Sequence, residues 1–227
     1  MNRHDASAGA GLADETVLAA RILWDELRDV WGHVSARLPD GGFCLAMVRL
    51  PRDAQSHRAL VFSDDGEERS GGAAPLELPI HTELYRRRRD VSAVVHAHPH
   101  AAVALSTTGD TVRAISQQSV IFGDGIPVGD GAFVDTVAAG QRLAAAMGTA
   151  VAELLRGHGA VTVGGSIGEA VSTMLYLEQT AQQQLWAAAN GGAAALLSVL
   201  RDHRVHRDGG MRSVLWDQLV HVRSQPQ

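Results

Sequence analysis

The shortness of the links between apolar runs constrains this chain most. The runs His33 to Leu38, Phe43 to Val48 and Ala59 to Ser63 read as strands, and only the turn Pro39-Asp40-Gly41-Gly42 separates the first two. A parallel neighbour needs a crossover of roughly a dozen residues or more, so strands this close must pair antiparallel. The same holds for Val151 to Leu155 and Ala160 to Val163, which flank His158. Ser92 to His98 and Val112 to Ile115 read as further strands, and residues 116–135 as turn-rich. Helical periodicity marks Thr16 to Val30, ended by Gly32, then Leu78 to Arg89, Ala101 to Thr107 and Thr136 to Met147. A long helix runs from Ser166 to about Asn190, with Glu169 completing a capping box. Ala193 to Leu200 and Met211 to Val222 also read as helical. Helices and strands alternate, yet the strand links are short. The pattern therefore predicts an α/β protein with a mixed or antiparallel sheet and helices on both faces.

Composition excludes several chemistries. All 20 Lys+Arg residues are arginine. Without lysine there is no Schiff-base catalysis, no covalent pyridoxal phosphate and no Walker A loop. A net charge of −5 gives no electrostatic case for nucleic acid or an anionic membrane. The run Arg86 to Arg89 reads as a solvated helix end. The lone cysteine, Cys44, can form neither an internal disulfide nor a cysteine zinc cluster, and reads as a small buried apolar group. No apolar stretch approaches the ~18 residues of a membrane span, and the polar start Met1 to Asp5 lacks a signal segment, so a cytoplasmic protein is expected.

The chemistry-bearing residues centre on Ala93-Val94-Val95-His96-Ala97-His98-Pro99. In an extended strand, side chains i and i+2 leave the same face, roughly 6.5 Å apart. Two imidazoles so placed can converge on one cation at about 2.1 Å from each nitrogen. Pro99 removes a ladder donor and puts the pair at the strand rim. His158 interrupts an apolar run between Gly157 and Gly159, and glycines flank a side chain where backbone and ligand approach closely. Glu77 lies between apolar neighbours just before a helix. A third imidazole and a carboxylate complete a catalytic metal site that leaves a position open for substrate. His81, one turn beyond Glu77, is read as orienting substrate or as structural; His100 as lining the pocket or facing solvent; His203 and His206 as surface.

Taken together, Glu77, the helix carrying His81 and Tyr85, Arg89-Asp90-Val91, His96-x-His98, Leu155-Arg156-Gly157-His158-Gly159 and the helix Ser166 to Gln183 resemble the class II aldolase/adducin family over about residues 12–190. The resemblance implies a three-layer α/β/α domain with a mainly antiparallel central sheet. It also implies a homotetramer with active sites at subunit boundaries. The ligands of a divalent ion would be His96, His98 and His158, with zinc most often the metal and manganese, cobalt or iron as alternatives. Glu77 would be the acid/base. Phosphosugar members of the family hold phosphate on three loops. Here those loops read Gly32-His33-Val34-Ser35, Ser63-Asp64-Asp65-Gly66 and Pro75-Leu76-Glu77, with donors lost and negative charge added. A tyrosine that some aldolases supply is replaced by the segment Ser116-Gln117-Gln118. His33, Ser35, His81, Gln117 and Gln118 are the expected substrate contacts.

These readings predict residues 1–12 as a flexible tail, 13–200 as one domain, and 201–227 as an extension that covers a neighbouring subunit. The expected activity is metal-dependent aldol cleavage or decarboxylation of a small non-phosphorylated hydroxy-acid, oxo-acid or aromatic acid. An iron oxidoreductase and a non-catalytic adducin-like module are the alternatives.

Overall fold

The computed structural model describes residues 3–48, 58–130, 133–191 and 210–224. Its elements are α1 (Arg3–Leu27), β1 (His33–Arg37), β2 (Phe43–Met47), β3 (Leu60–Phe62), α2 (Leu78–Arg87), β4 (Ala93–Ala97), α3 (His100–Ser106), β5 (Val128–Gly129), α4 (Val137–Met147), β6 (Ala152–Leu155), β7 (Gly159–Gly164), α5 (Ile167–Ala189) and α6 (Gly210–Ser224). The strands form a seven-stranded sheet in the order β3-β2-β1-β4-β7-β6-β5. Every pairing is antiparallel except β5 with β6. The mixed or antiparallel sheet read from the short links, mainly antiparallel as the family resemblance implies, is thus the one observed.

Alternation along the strands divides the interior into two cores. Ala93, Val95 and Ala97 of β4 join Val34, Ala36, Cys44 and Ala46 against α1, α3 and α5. Val94 joins Phe43, Leu45, Val161 and Val163 against α2 and α4. Cys44 is buried, in keeping with its reading as a small buried apolar group. The result is three layers, with the sheet buried on both sides. His33 and His96, register partners across β1 and β4, fall on the α2 side beside Val94.

Several expectations change. The residues read as a loose tail belong to α1, which begins at Arg3; the alanines at 6, 8 and 10 propagate the helix backwards from Thr16. Leu12 packs on the first core. The helix stops at Leu27 rather than Val30, because Arg28 takes a left-handed conformation (φ 56°) and its N–H returns to the Trp24 carbonyl. Val112 to Ile115 is not a strand. The Gln184 side chain of α5 takes up the Arg113 N–H and the Thr111 carbonyl, so those backbone groups are satisfied by a helix side chain and not by a neighbouring strand. His100 opens α3 and is exposed, the solvent-facing one of its two readings. The described part of the C-terminal extension packs on its own chain: Trp216 lies against Gly168 of α5, Tyr176 donates to the Met211 carbonyl, and Arg223 pairs with Asp25 and Glu26 of α1. Ala193 to Leu200, His203 and His206 lie outside the described residues. Among the described residues no helix is long and apolar enough to cross a membrane.

Candidate metal centre

The rim of β4 and two neighbouring turns bring four residues together. His96 is the penultimate residue of the strand and His98 lies just beyond it. His158 sits in the three-residue turn between β6 and β7, where Leu155 pairs with Gly159. Gly157 holds φ +68° at the third position of the turn that the His158 N–H closes on the Leu155 carbonyl, where a left-handed residue is favoured. Gly159 meets β4 closely: a Cβ there would stand 2.7 Å from the Ala97 carbonyl oxygen, 3.1 Å from His96 Cε1 and 3.2 Å from His98 Cδ2. A side chain at 159 would therefore push the two histidine-bearing segments apart, which is the physical content of the glycine-flanked motif. Glu77 immediately precedes α2 and is buried.

One donor atom each from Glu77, His96, His98 and His158 lies within 4.8 Å of every other. Glu77 Oε2 is 3.1 Å from His96 Nε2 and 3.5 Å from His158 Nε2. The tautomers of two rings are fixed from behind. His96 Nδ1 is 3.1 Å from the Ala160 carbonyl, which can only accept, so Nδ1 carries the proton and Nε2 is bare. Nε2 is fully buried and has no well-aligned hydrogen-bond partner in the protein. His98 Nδ1 is 3.2 Å from both carboxylate oxygens of Asp29, which also accepts the His98 backbone N–H at 2.9 Å. That arrangement likewise leaves the outer nitrogen bare. A buried imidazole nitrogen bare of hydrogen, without a hydrogen bond and beside two further imidazoles and a carboxylate, fits a divalent cation.

Electrostatics agree with this geometry. Burial raises the Glu77 carboxyl; contact with the imidazoles of His158 and His96, were they to donate, and the Val134 N–H lower it, and with His96 Nε2 bare a cation between the two groups takes the place of that imidazole proton. Burial also raises Asp29, yet His98 and the Trp31 N–H bring it to about 2. Burial lowers His33 far below its ordinary range and His81 to about 3, so both rings are neutral.

The remaining expected contacts divide. The His33 ring lies 5.1 Å from that of His96. Ser35 and His81 are fully buried behind it, with their polar atoms engaged by one another, His33 and Tyr85. The β1–β4 register places Ser35 on the side of the sheet that α2 covers, and His81 reaches it from α2. Gln117 and Gln118 are exposed, at the cap and first residue of a 3-10 turn, and within the described residues no contact joins them to the cluster. Sequence reasoning missed Asp29, the Val134 N–H that holds Glu77, and Phe133, whose half-exposed ring stacks on His158 at 5.3 Å and 19°. For Asp29 the only local signal was an acid just past the end of a helix.

The family model for the class II aldolase and adducin N-terminal domain matches residues 18–185. The chain belongs to that family. A 3,4-dihydroxyphthalate decarboxylase of Arthrobacter keyseri is 34% identical over 207 residues, covering 81% of this chain and 82% of the relative. The enzyme of the same description from Terrabacter sp. strain DBF63 is 38% identical over 199 residues, covering 79% and 80%. In fold, the chain is similar to an L-fuculose 1-phosphate aldolase from Glaciozyma antarctica PI12, with a TM-score of 0.80 and 23% identity over 98% of this chain and 94% of that one. Among decarboxylase and aldolase relatives, this member of the class II aldolase family is a carbon–carbon lyase, and its Glu/His cluster could hold the divalent metal the family uses.

Proposed function

We propose that the protein decarboxylates an aromatic acid bearing two adjacent hydroxyls, of the chemical class of 3,4-dihydroxyphthalate. The observation that carries this reading is the convergence of His96 Nε2, bare of hydrogen, with Glu77, His98 and His158. Relatives of that activity, similar over most of both chains, support it. His96, His98 and His158 hold the ion, and zinc suits three neutral imidazoles with an open position. When bound there, a divalent ion would supply a Lewis acid for the loss of carbon dioxide.

Glu77 takes the proton of a substrate hydroxyl and returns a proton to the ring carbon that the carboxylate vacates. The Val134 N–H orients it at 3.2 Å. The exposed rings and chains of Phe133 and Leu76 form an apolar rim suited to an aromatic substrate. A phosphate is disfavoured: Asp64 is engaged by the Gly42 N–H and Asp65 by Arg86, so the corresponding loop is acidic and internally committed. His33 is the substrate contact on β1, and His33→Ala weakens substrate binding while metal content stays intact.

The same reading includes a homotetramer whose subunit boundaries close the sites, with Gln117 and Gln118 serving there. It also includes a cytoplasmic location, where the lone thiol of Cys44 stays reduced. The test is carbon dioxide release from a panel of dihydroxy-aromatic acids by protein reconstituted with zinc, manganese, cobalt or iron, with light scattering for the assembly. Turnover that consumes oxygen, or release from none of the panel, overturns the assignment.

A further inference from the structure

Five histidines crowd the α2 side of the sheet near the rim, yet only His96, His98 and His158 present nitrogens to the common point. His33 and His81 are tied into a separate buried chain. Tyr85 Oη is 2.8 Å from Ser35 Oγ, Ser35 Oγ is 2.6 Å from His81 Nδ1, and His81 Nε2 is 2.6 Å from His33 Nδ1. All four residues are almost wholly shielded from solvent.

Such a chain runs in one of two directions or turns at Ser35; if His81 and Tyr85 both donate to Ser35, the Ser35 O–H has no acceptor among the hydrogen bonds of the described residues, which leaves the two directions. In one, His81 donates from Nδ1 to Ser35, Ser35 donates to Tyr85, and His33 donates from Nδ1 to His81. The Tyr85 O–H then has no acceptor among the hydrogen bonds of the described residues, since its other neighbour, the Val94 backbone N–H, is itself a donor. A buried donor without an acceptor is costly. In the other direction Tyr85 donates to Ser35, Ser35 donates to His81 Nδ1, and His81 donates from Nε2 to His33 Nδ1. Every donor is then used. The proton of His33 must sit on Nε2, on a ring that lies against His96.

We propose that Tyr85, Ser35 and His81 form a one-way hydrogen-bond chain that fixes His33 as its Nε2–H tautomer, so that a neutral imidazole donor, and not a fourth metal ligand, stands beside His96. A protonated ring nitrogen has no lone pair for a cation, so the chain keeps a nearby imidazole out of the ligand set. The same N–H is a hydrogen-bond donor for an anionic oxygen of the substrate, the carboxylate or a phenolate. Tyr85, Ser35 and His81 are positioning residues, acting only through His33. The part played in turnover rests on the decarboxylase reading; the tautomer does not.

The test is magic-angle-spinning NMR of protein labelled with 15N-histidine, both zinc-loaded and metal-free. Signals are assigned by comparison with His33→Gln and His81→Gln. Bare and protonated ring nitrogens resonate far apart, so the expected result is a bare Nδ1 and a protonated Nε2 on both His33 and His81. A proton on His33 Nδ1 overturns the proposal, as does His33 among the zinc ligands. Ser35→Ala removes the polarising hydroxyl. It is expected to give a mixture of His33 tautomers and, for a substrate found active, a KM raised about tenfold with zinc content unchanged. An unchanged tautomer in that variant also overturns the proposal. Should Ser35→Ala fail to fold, the wild-type spectrum alone decides. The predicted tautomer without carbon dioxide release from any dihydroxy-aromatic acid sinks the decarboxylase reading and leaves the chain standing.

Discussion

Glu153 offers a prediction whose size follows from its surroundings. It lies on β6, is 1% exposed, and its Oε2 has no hydrogen-bond partner. It borders a cavity of about 170 Å³ shared with Asp130, Arg142 and Val134. Burial, and then the like charge of Asp130, lift its carboxyl from the ordinary 4.5 to about 8. Between those values the folded chain holds a proton that the unfolded chain has released, so stability falls as pH rises. Below 4.5 both states are protonated and the penalty vanishes; above 8 it reaches its full size. At about 1.36 kcal/mol per pH interval, the loss between pH 5 and pH 7.5 is on the order of 3 kcal/mol. Glu153→Gln keeps the shape and removes the titration. Urea unfolding of both chains at fixed concentration, from pH 5 to pH 8.5, should show the variant's advantage growing by that amount. Both chains share the Glu77–His96–His98–His158 cluster, so the difference isolates residue 153. Parallel stability curves would refute the reasoning.

Three further outcomes follow from the site. Glu77→Gln should lower turnover by about 10²–10⁴-fold while the protein retains its metal, as assayed by kinetics and elemental analysis; near-normal rates remove its proton-transfer role. Asp29→Ala frees His98 Nδ1 and should weaken metal affinity by about 10–100-fold in a chelator competition, with the fold preserved; unchanged affinity means that Asp29 serves only the helix end. Gly159→Ala places a Cβ against the Ala97 carbonyl and both histidines, and should cost about 1–3 kcal/mol of stability together with metal occupancy; a fully metallated, equally stable variant contradicts the close approach.

The residue pattern alone carried the short antiparallel links, the rim position of His96 and His98, the glycine-flanked His158 and the isolated Glu77, because each is a local matter of strand period, turn chemistry or composition. Absent lysine likewise closed off iminium chemistry without any coordinates. Where local signals were weak, the chain departed from expectation: alanine-rich residues near the start extended α1, and Arg28 ended it in a conformation usually given to glycine. What surrounds the ligands was decided only in three dimensions. Asp29 stands 69 residues from His98, and His33 stands 48 from His81. No periodicity links such pairs; the β1–β4 register and the packing of α2 over the sheet bring them into contact. The order of residues thus named the groups able to hold a cation. The folded sheet determined which nitrogens are bare, which carry protons and which carboxyl is buried without a partner, since those properties belong to neighbours distant in sequence.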